Sequence, residues 1–211
     1  MLAAAALAAA ALTAAPNVQS LVLKPAQVGK GYGLYLRRDG FGLKTRTLDL
    51  CGIAGYPSEK QRASRIQVDY LKAKGSFLLS NEVVRYKPGG SAQAMQEVVA
   101  HATGCPNRPV ATGVQGVPPL TLHITRLHDH LLLKGYLAVR IRATGTVSGK
   151  PIDKVSYAVY QRHGDVLSGV YSFPLSGSAA TDRAQMEFCL HAAEQSAKNL
   201  AGVAAQKGPT A

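Results

Sequence analysis

Residues 80–106, "SNEVVRYKPGGSAQAMQEVVAHATGCP", pass from an apolar alternating run through Pro88-Gly89-Gly90 into a run with a different period. Upstream, "RIQVDYLKA" places Ile66, Val68 and Tyr70 on one face, and "FLLSNEVVRYK" returns after Lys74-Gly75-Ser76. Two such runs joined by a glycine-containing loop predict an antiparallel hairpin. After the glycines the apolar positions become Ala92, Met95, Val98, Val99 and Ala102, three or four apart as on one side of a helix. Ser91 is the expected N-cap, and Gly104 with Pro106 the expected stop. A strand-to-helix junction of this kind is also where phosphate loops occur. Those need GxxxxGK[ST], and "KPGGS" lacks the second half, so the stretch reads as a turn with Arg85 and Lys87 nearby.

The pattern continues on the C-terminal side. After the Pro/Gly-rich "PNRPVATGVQGVPP", read as a loop, "LTLHITRL" alternates with Leu120, Leu122 and Ile124 inward. "LKGYLAVRIRATG" places Leu133, Gly135, Leu137, Val139 and Ile141 inward, and "DKVSYAVYQRHGDVLSGVYSFP" contains two strands around His163-Gly164. A last helix over roughly 180–204 has Met186, Cys189, Leu190, Ala193 and Ala197 on one stripe. Upstream, "SLVLKP" is a short apolar piece and "GKGYGLYLRRDGFG" reads as glycine-rich and irregular. The expected fold class is α+β: one antiparallel sheet of about six strands with helices packed on it. The domain is expected over 16–205, with a disordered tail at 206–211.

Composition sets the class of function. With 46% hydrophobic residues in 211, the chain can bury a real core. Lys and Arg total 24 against 12 acids, a net charge of +12. That surplus favours polyanions such as nucleic acid, anionic lipid head groups or acidic wall polymers, although no run of five or six basic residues concentrates it. Residues 1–15, "MLAAAALAAAALTAA", form a small-residue apolar run ending before Pro16, and read as a leader removed on export. The run is shorter than the roughly 20 apolar residues that span a bilayer, and no Lys or Arg precedes it. No other segment is long and apolar enough to span a membrane, and no cofactor motif occurs.

The cysteines agree with an oxidising compartment. Cys51, Cys105 and Cys189 form no CxxC pair, so no zinc site is expected. Cys51 and Cys105 lie at element ends, in "DLCGIAGYP" and "HATGCPN", and are the expected disulfide. Cys189, on a helical apolar stripe, is expected as a buried hydrophobe.

The chemical constellations are thin. His123, His128, His130 and Asp129 in "HITRLHDHLLL" fall at a turn between strands, where Asp bonds nearby amides; surface histidines are expected, and no metal. No Gly-x-Ser-x-Gly is present, and Ser168 in "VLSGVY" sits mid-strand. Glu59, Asp69 and Glu82 read as ordinary surface charge. One stripe stands out: Tyr136, Arg140 and Arg142 on the outer side of their strand, joined by Tyr160 and Arg162 from the next. Aromatic and guanidinium groups on an open sheet face hold sugars, head groups or single strands by stacking and paired hydrogen bonds.

The order "YPSEKQRASRIQVDYLKAKG", "LSNEVVRYKPGGSAQAMQEV", "CP", "VSYAVYQRHGDVLSGVYSF" and "AAEQSAKNL" resembles the extracytoplasmic sensor-like domains of actinobacteria. These lie at the outer end of receptor serine/threonine kinases of the PknH type and also occur as free secreted or lipid-anchored proteins. The resemblance covers residues 48–201. It implies a helix-flanked antiparallel sheet, disulfides and a cleft for an extracellular ligand, and it brings no catalytic residues. This chain departs from the kinase version in having three cysteines where two bridges need four. The resulting expectation is a secreted, non-enzymatic binding domain of the cell envelope whose ligand is anionic or lipid-like. An envelope hydrolase is the alternative, and a cytoplasmic nucleic-acid binder follows only if the leader is retained.

Overall fold

The computed structural model describes residues 17–39, 50–51, 56–111, 118–175 and 182–205. The leader, the tail and the start of the last predicted helix lie outside these. Two short helices, α1 (Val18–Leu21) and α2 (Pro25–Val28), precede strand β1 (Tyr32–Asp39). A 3-10 turn (Pro57–Gln61) leads into β2 (Arg62–Lys72), β3 (Phe77–Tyr86) and helix α3 (Gly90–Gly104). Then come β4 (Pro109–Val110), β5 (Leu120–Leu127), β6 (Leu137–Val147), β7 (Lys150–His163), β8 (Val166–Pro174) and α4 (Asp182–Ala205).

All strands join one antiparallel sheet in the order β1-β2-β3-β8-β7-β6-β5-β4. Helix α3 carries the chain from the sheet centre to its far edge, and the β4–β8 meander walks back until β8 pairs with β3. The sheet has eight strands rather than about six. The two additional ones are edge strands that lack an apolar alternation. In β1, Leu34 and Tyr35 are exposed, and the β2 register shifts between Leu34 and Leu36. β4 is two residues long. β1 buries no residue and β4 only Val110, so neither writes a period of two into the sequence.

Helices cover both faces. On one, α4 packs Cys189, Ala192, Ala193 and Leu200 onto Ile66, Val68, Leu79, Val83, Val159 and Val170, with Leu21, Leu23 and Val28 of the N-terminal segment closing the layer. On the other, α3 packs Ala94, Met95, Val98 and Ala102 onto Val84, Tyr86, Leu137, Val139, Tyr160 and Leu167. Cys51 and Cys105 form the expected disulfide, with Cα atoms 5.5 Å apart, fastening the end of α3 to the segment at Leu50. Cys189 is a buried free cysteine, as expected. No helix among the described residues is long and apolar enough to cross a membrane.

Three local expectations shift. The N-cap of α3 is Gly89, in the left-handed region at φ +84°, and not Ser91. Gly90 is needed for a second reason: a Cβ there would lie 3.0 Å from the Cβ atoms of both Gln61 and Tyr86. The two-residue turn between β7 and β8 is Gly164-Asp165, one step beyond His163-Gly164. Leu133 and Gly135 belong to the turn before β6, not to the strand.

Candidate functional site

The tip of α3 and the tip of the β7–β8 hairpin are tied together. The Ser91 hydroxyl, freed from capping, donates to the Gly164 carbonyl at 2.7 Å. The same oxygen accepts from Nη1 of Arg162 at 3.1 Å. Tyr86 N–H donates to the Asp165 carbonyl at 2.9 Å, binding the hairpin tip to the end of β3. On the adjacent side, buried Gln161 accepts from Leu133 N–H at 3.0 Å and donates to the Ala193 carbonyl at 2.8 Å. That bridge holds the Lys134-Gly135 turn against the sheet.

Between these anchors lies a groove of about 400 Å³ lined by Ala92, Met95, Gln96, Val99 and Ala100 of α3 with Lys134, Gly135 and Arg162. The α3 residues run along one side of the helix, next to the stripe Ala94, Val98 and Ala102 that enters the core. Ala92 and Val99, expected in the core, are only half-buried and face the groove. The only charged residues in the lining are cations, and no described carboxylate pairs with either. An apolar floor beside two cations can hold an apolar group that ends in a negative charge.

The five residues singled out on the meander do not share a face. Leu137 pairs with Tyr160 and Arg140 with Tyr157, so even-numbered residues of β6 lie beside odd-numbered ones of β7. Arg140 and Arg142 therefore sit on the α4 side, and Tyr160 and Arg162 on the α3 side. Tyr136 precedes β6 and packs against the α4-side core, its hydroxyl accepting from Asp129 N–H at 2.6 Å. Tyr160 is 1% exposed, edge-on to Tyr171 with centroids 5.6 Å apart.

Two of the three guanidinium groups are occupied by carboxylates. Arg140 reaches Asp182 with Nε at 2.9 Å and Nη2 at 2.7 Å, and the Tyr157 hydroxyl donates to the same carboxylate. Arg142 grips Asp153 with Nε at 2.8 Å and Nη2 at 2.6 Å. Hydrogen bonds from the arginines hold the carboxyls of Asp182 and Asp153 below the usual range. Arg162 alone of the five faces an open concavity.

Sequence reasoning missed a second feature. Glu82 and Asp69, read as surface charge, are 3% and 8% exposed. Glu82 pairs with buried Arg65, whose Nη2 also donates to Gln67 at 3.1 Å, and Glu59 pairs with Arg62. Burial pushes the Glu82 carboxyl up, opposed by Arg65. Nη1 of Arg65 is buried without a partner. The visible signal was spacing: Arg65, Gln67 and Asp69 alternate on β2, and Glu82 lies opposite Gln67 on β3, on one face of a sheet that is covered on both sides.

Among the other candidates, His123, His128 and His130 are exposed, and Leu131 N–H donates to Asp129 at 2.8 Å in the expected turn. No group of three or more His, Cys, Asp or Glu among the described residues is placed to hold a metal. Ser168 is buried, its hydroxyl 2.8 Å from that of Ser196. Burial pushes the Cys189 thiol up to about 12.

No protein-family model matches the chain, and no characterised protein matches it in sequence. Among solved structures it is similar to the extracellular domain of PknH from Mycobacterium tuberculosis, with TM-score 0.55 over 85% of this chain and 94% of that one. Sequence identity between the two is 10%, so the likeness is one of fold.

Proposed function

We propose that this chain is an extracytoplasmic, non-enzymatic binding domain of an actinobacterial cell envelope, acting on an anionic or lipid-like envelope component. The observation that carries the reading is the groove beside α3, mostly apolar along the helix and with Lys134 and Arg162 as the charged residues of its lining. Three further facts support it: the net charge of +12, the disulfide and the fold shared with the extracellular domain of PknH. Binding is favoured over hydrolysis because the buried titratable groups are poorly placed for turnover. Glu82 is engaged by Arg65, and the Cys189 thiol is held protonated by its apolar surroundings.

The test is retention of the purified protein on cell-wall and anionic-lipid preparations across a salt series. Salt-sensitive retention is expected, because screening weakens exposed charge contacts. Absence of retention at low salt overturns the proposed ligand class. Amino-terminal sequencing of the native protein is expected to begin at Pro16, and an intact Met1 start overturns export by cleavage at that site.

A further inference from the structure

We propose that the groove beside α3 takes a single-chain anionic amphiphile, with one acyl chain along α3 and its charged head between Lys134 and Arg162. This rests on the reading of the chain as an envelope-binding domain and names the ligand class of that site. Three observations carry it. Ala92 and Val99, both half-buried, give the outer side of α3 an apolar track whose floor is the core residue Met95. Ala94, Val98 and Ala102 fill the sheet side, and Val99 packs against that core while also lining the groove.

The second is charge. Arg162 has one hydrogen bond, from Nη1 to the Gly164 carbonyl, which fixes the direction of its fork and leaves its other N–H groups without a described acceptor. Lys134 stands across the Gly135 turn, which Gln161 holds in place. A carboxylate or phosphate oxygen between them gains charge-assisted hydrogen bonds from both. The third is size. About 400 Å³ lies at the small end of the roughly 300–1,000 Å³ of small-molecule sites, which suits one chain rather than a whole diacyl lipid. A wall polymer would use the two cations and leave the apolar track idle. A flat bilayer would meet a concave surface.

The experiment uses calorimetric titration of the full chain with palmitate, with a lysophosphatidylglycerol and with the uncharged glycerol monoester of palmitate, all below their aggregation concentrations. One-to-one binding of one or both anions is expected. Palmitate alone points to a free fatty acid, and the lysophospholipid alone or more tightly to a phosphate head. The neutral ester should bind at least about tenfold more weakly, the ratio expected when a charge-assisted hydrogen bond is lost. The exposed-residue variants Arg162→Glu and Lys134→Glu should each weaken the anions by a similar factor. Val99→Asp should weaken binding of all three compounds, the neutral ester included. Equal affinity for the neutral ester, or unchanged affinity in the double variant Arg162→Glu/Lys134→Glu, overturns the head assignment. If neither anion binds but wall retention persists, the amphiphile inference falls and the envelope-binding reading stands. If both fail, both fall.

Discussion

The two sides of the sheet are closed by different means. On the α4 side a 24-residue helix lies close to the strands through small residues, Cys189, Ala192, Ala193 and Ser196. Polar side chains then cross-link the layers. Asn81 accepts from Leu23 N–H at 2.9 Å and donates to Ser168 and Gly169, while Asn199 donates to the carbonyls of Leu21 and Val22. Buried Asn81 and half-buried Asn199, satisfied this way, tie the N-terminal segment to the sheet and to α4 without a covalent bond. On the α3 side a 15-residue helix spans only part of the face, and a disulfide secures its end. The stapled side leaves a groove where the helix runs past the sheet.

Four measurements sharpen or break this contrast. The largest effect is expected from removing the staple. A bridge with a separation of 54 residues is worth about 4 kcal/mol on chain entropy. The Cys51→Ala/Cys105→Ala variant should lose that in denaturant titration, and amide exchange should quicken in α3 well before α4. Equal acceleration in both helices would break the comparison. Next, Asn81→Ala strands Leu23 N–H and the Gly169 carbonyl and should cost roughly 2–3 kcal/mol. A loss under about 1 kcal/mol would mean the N-terminal segment is held by apolar contacts alone.

A smaller effect is expected at the α3 entrance. Gly90→Ala forces a methyl against Gln61 and Tyr86 and should cost about 1–2 kcal/mol by overpacking. A neutral or stabilising result would show that α3 tilts freely over its face. The smallest concerns the start of α4. Asp182 is held below its unfolded pKa first by the Arg140 hydrogen bond. Its contribution is therefore present above the unfolded value near pH 4 and fades as pH falls through the lower folded value. Acid titration of stability should be slightly shallower there in Asp182→Asn, with no difference from the parent's slope at neutral pH. An unchanged acid slope would mean that Arg140 contributes nothing at that helix end.

Much of the fold was legible because its signals are local. The β2–β3 hairpin, the period change at Pro88, the α4 stripe and the pairing of Cys51 with Cys105 all follow from nearby residues or from simple elimination among three cysteines. β1 and β4 were missed because an edge strand is defined by its neighbour's hydrogen bonds, not by its own side chains. The Tyr/Arg stripe failed for a reason the chain does contain. The two-residue turn Ser148-Gly149, with φ of +50° and +76°, joins partners three apart in sequence and so opposite in parity. Counting through that turn separates Arg140 from Tyr160.

By itself, the amino-acid order determined an antiparallel α+β domain, the boundaries of its two long helices to within a few residues, its basic charge and its disulfide, since periodicity and turn chemistry act over short distances. Only the tertiary structure decided that both sheet faces are covered, that Arg140 and Arg142 are occupied by Asp182 and Asp153, and that Arg162 meets Lys134 beside an apolar track. Those outcomes depend on strand order and on which helix crosses which face, and both are set by contacts between segments far apart in the chain.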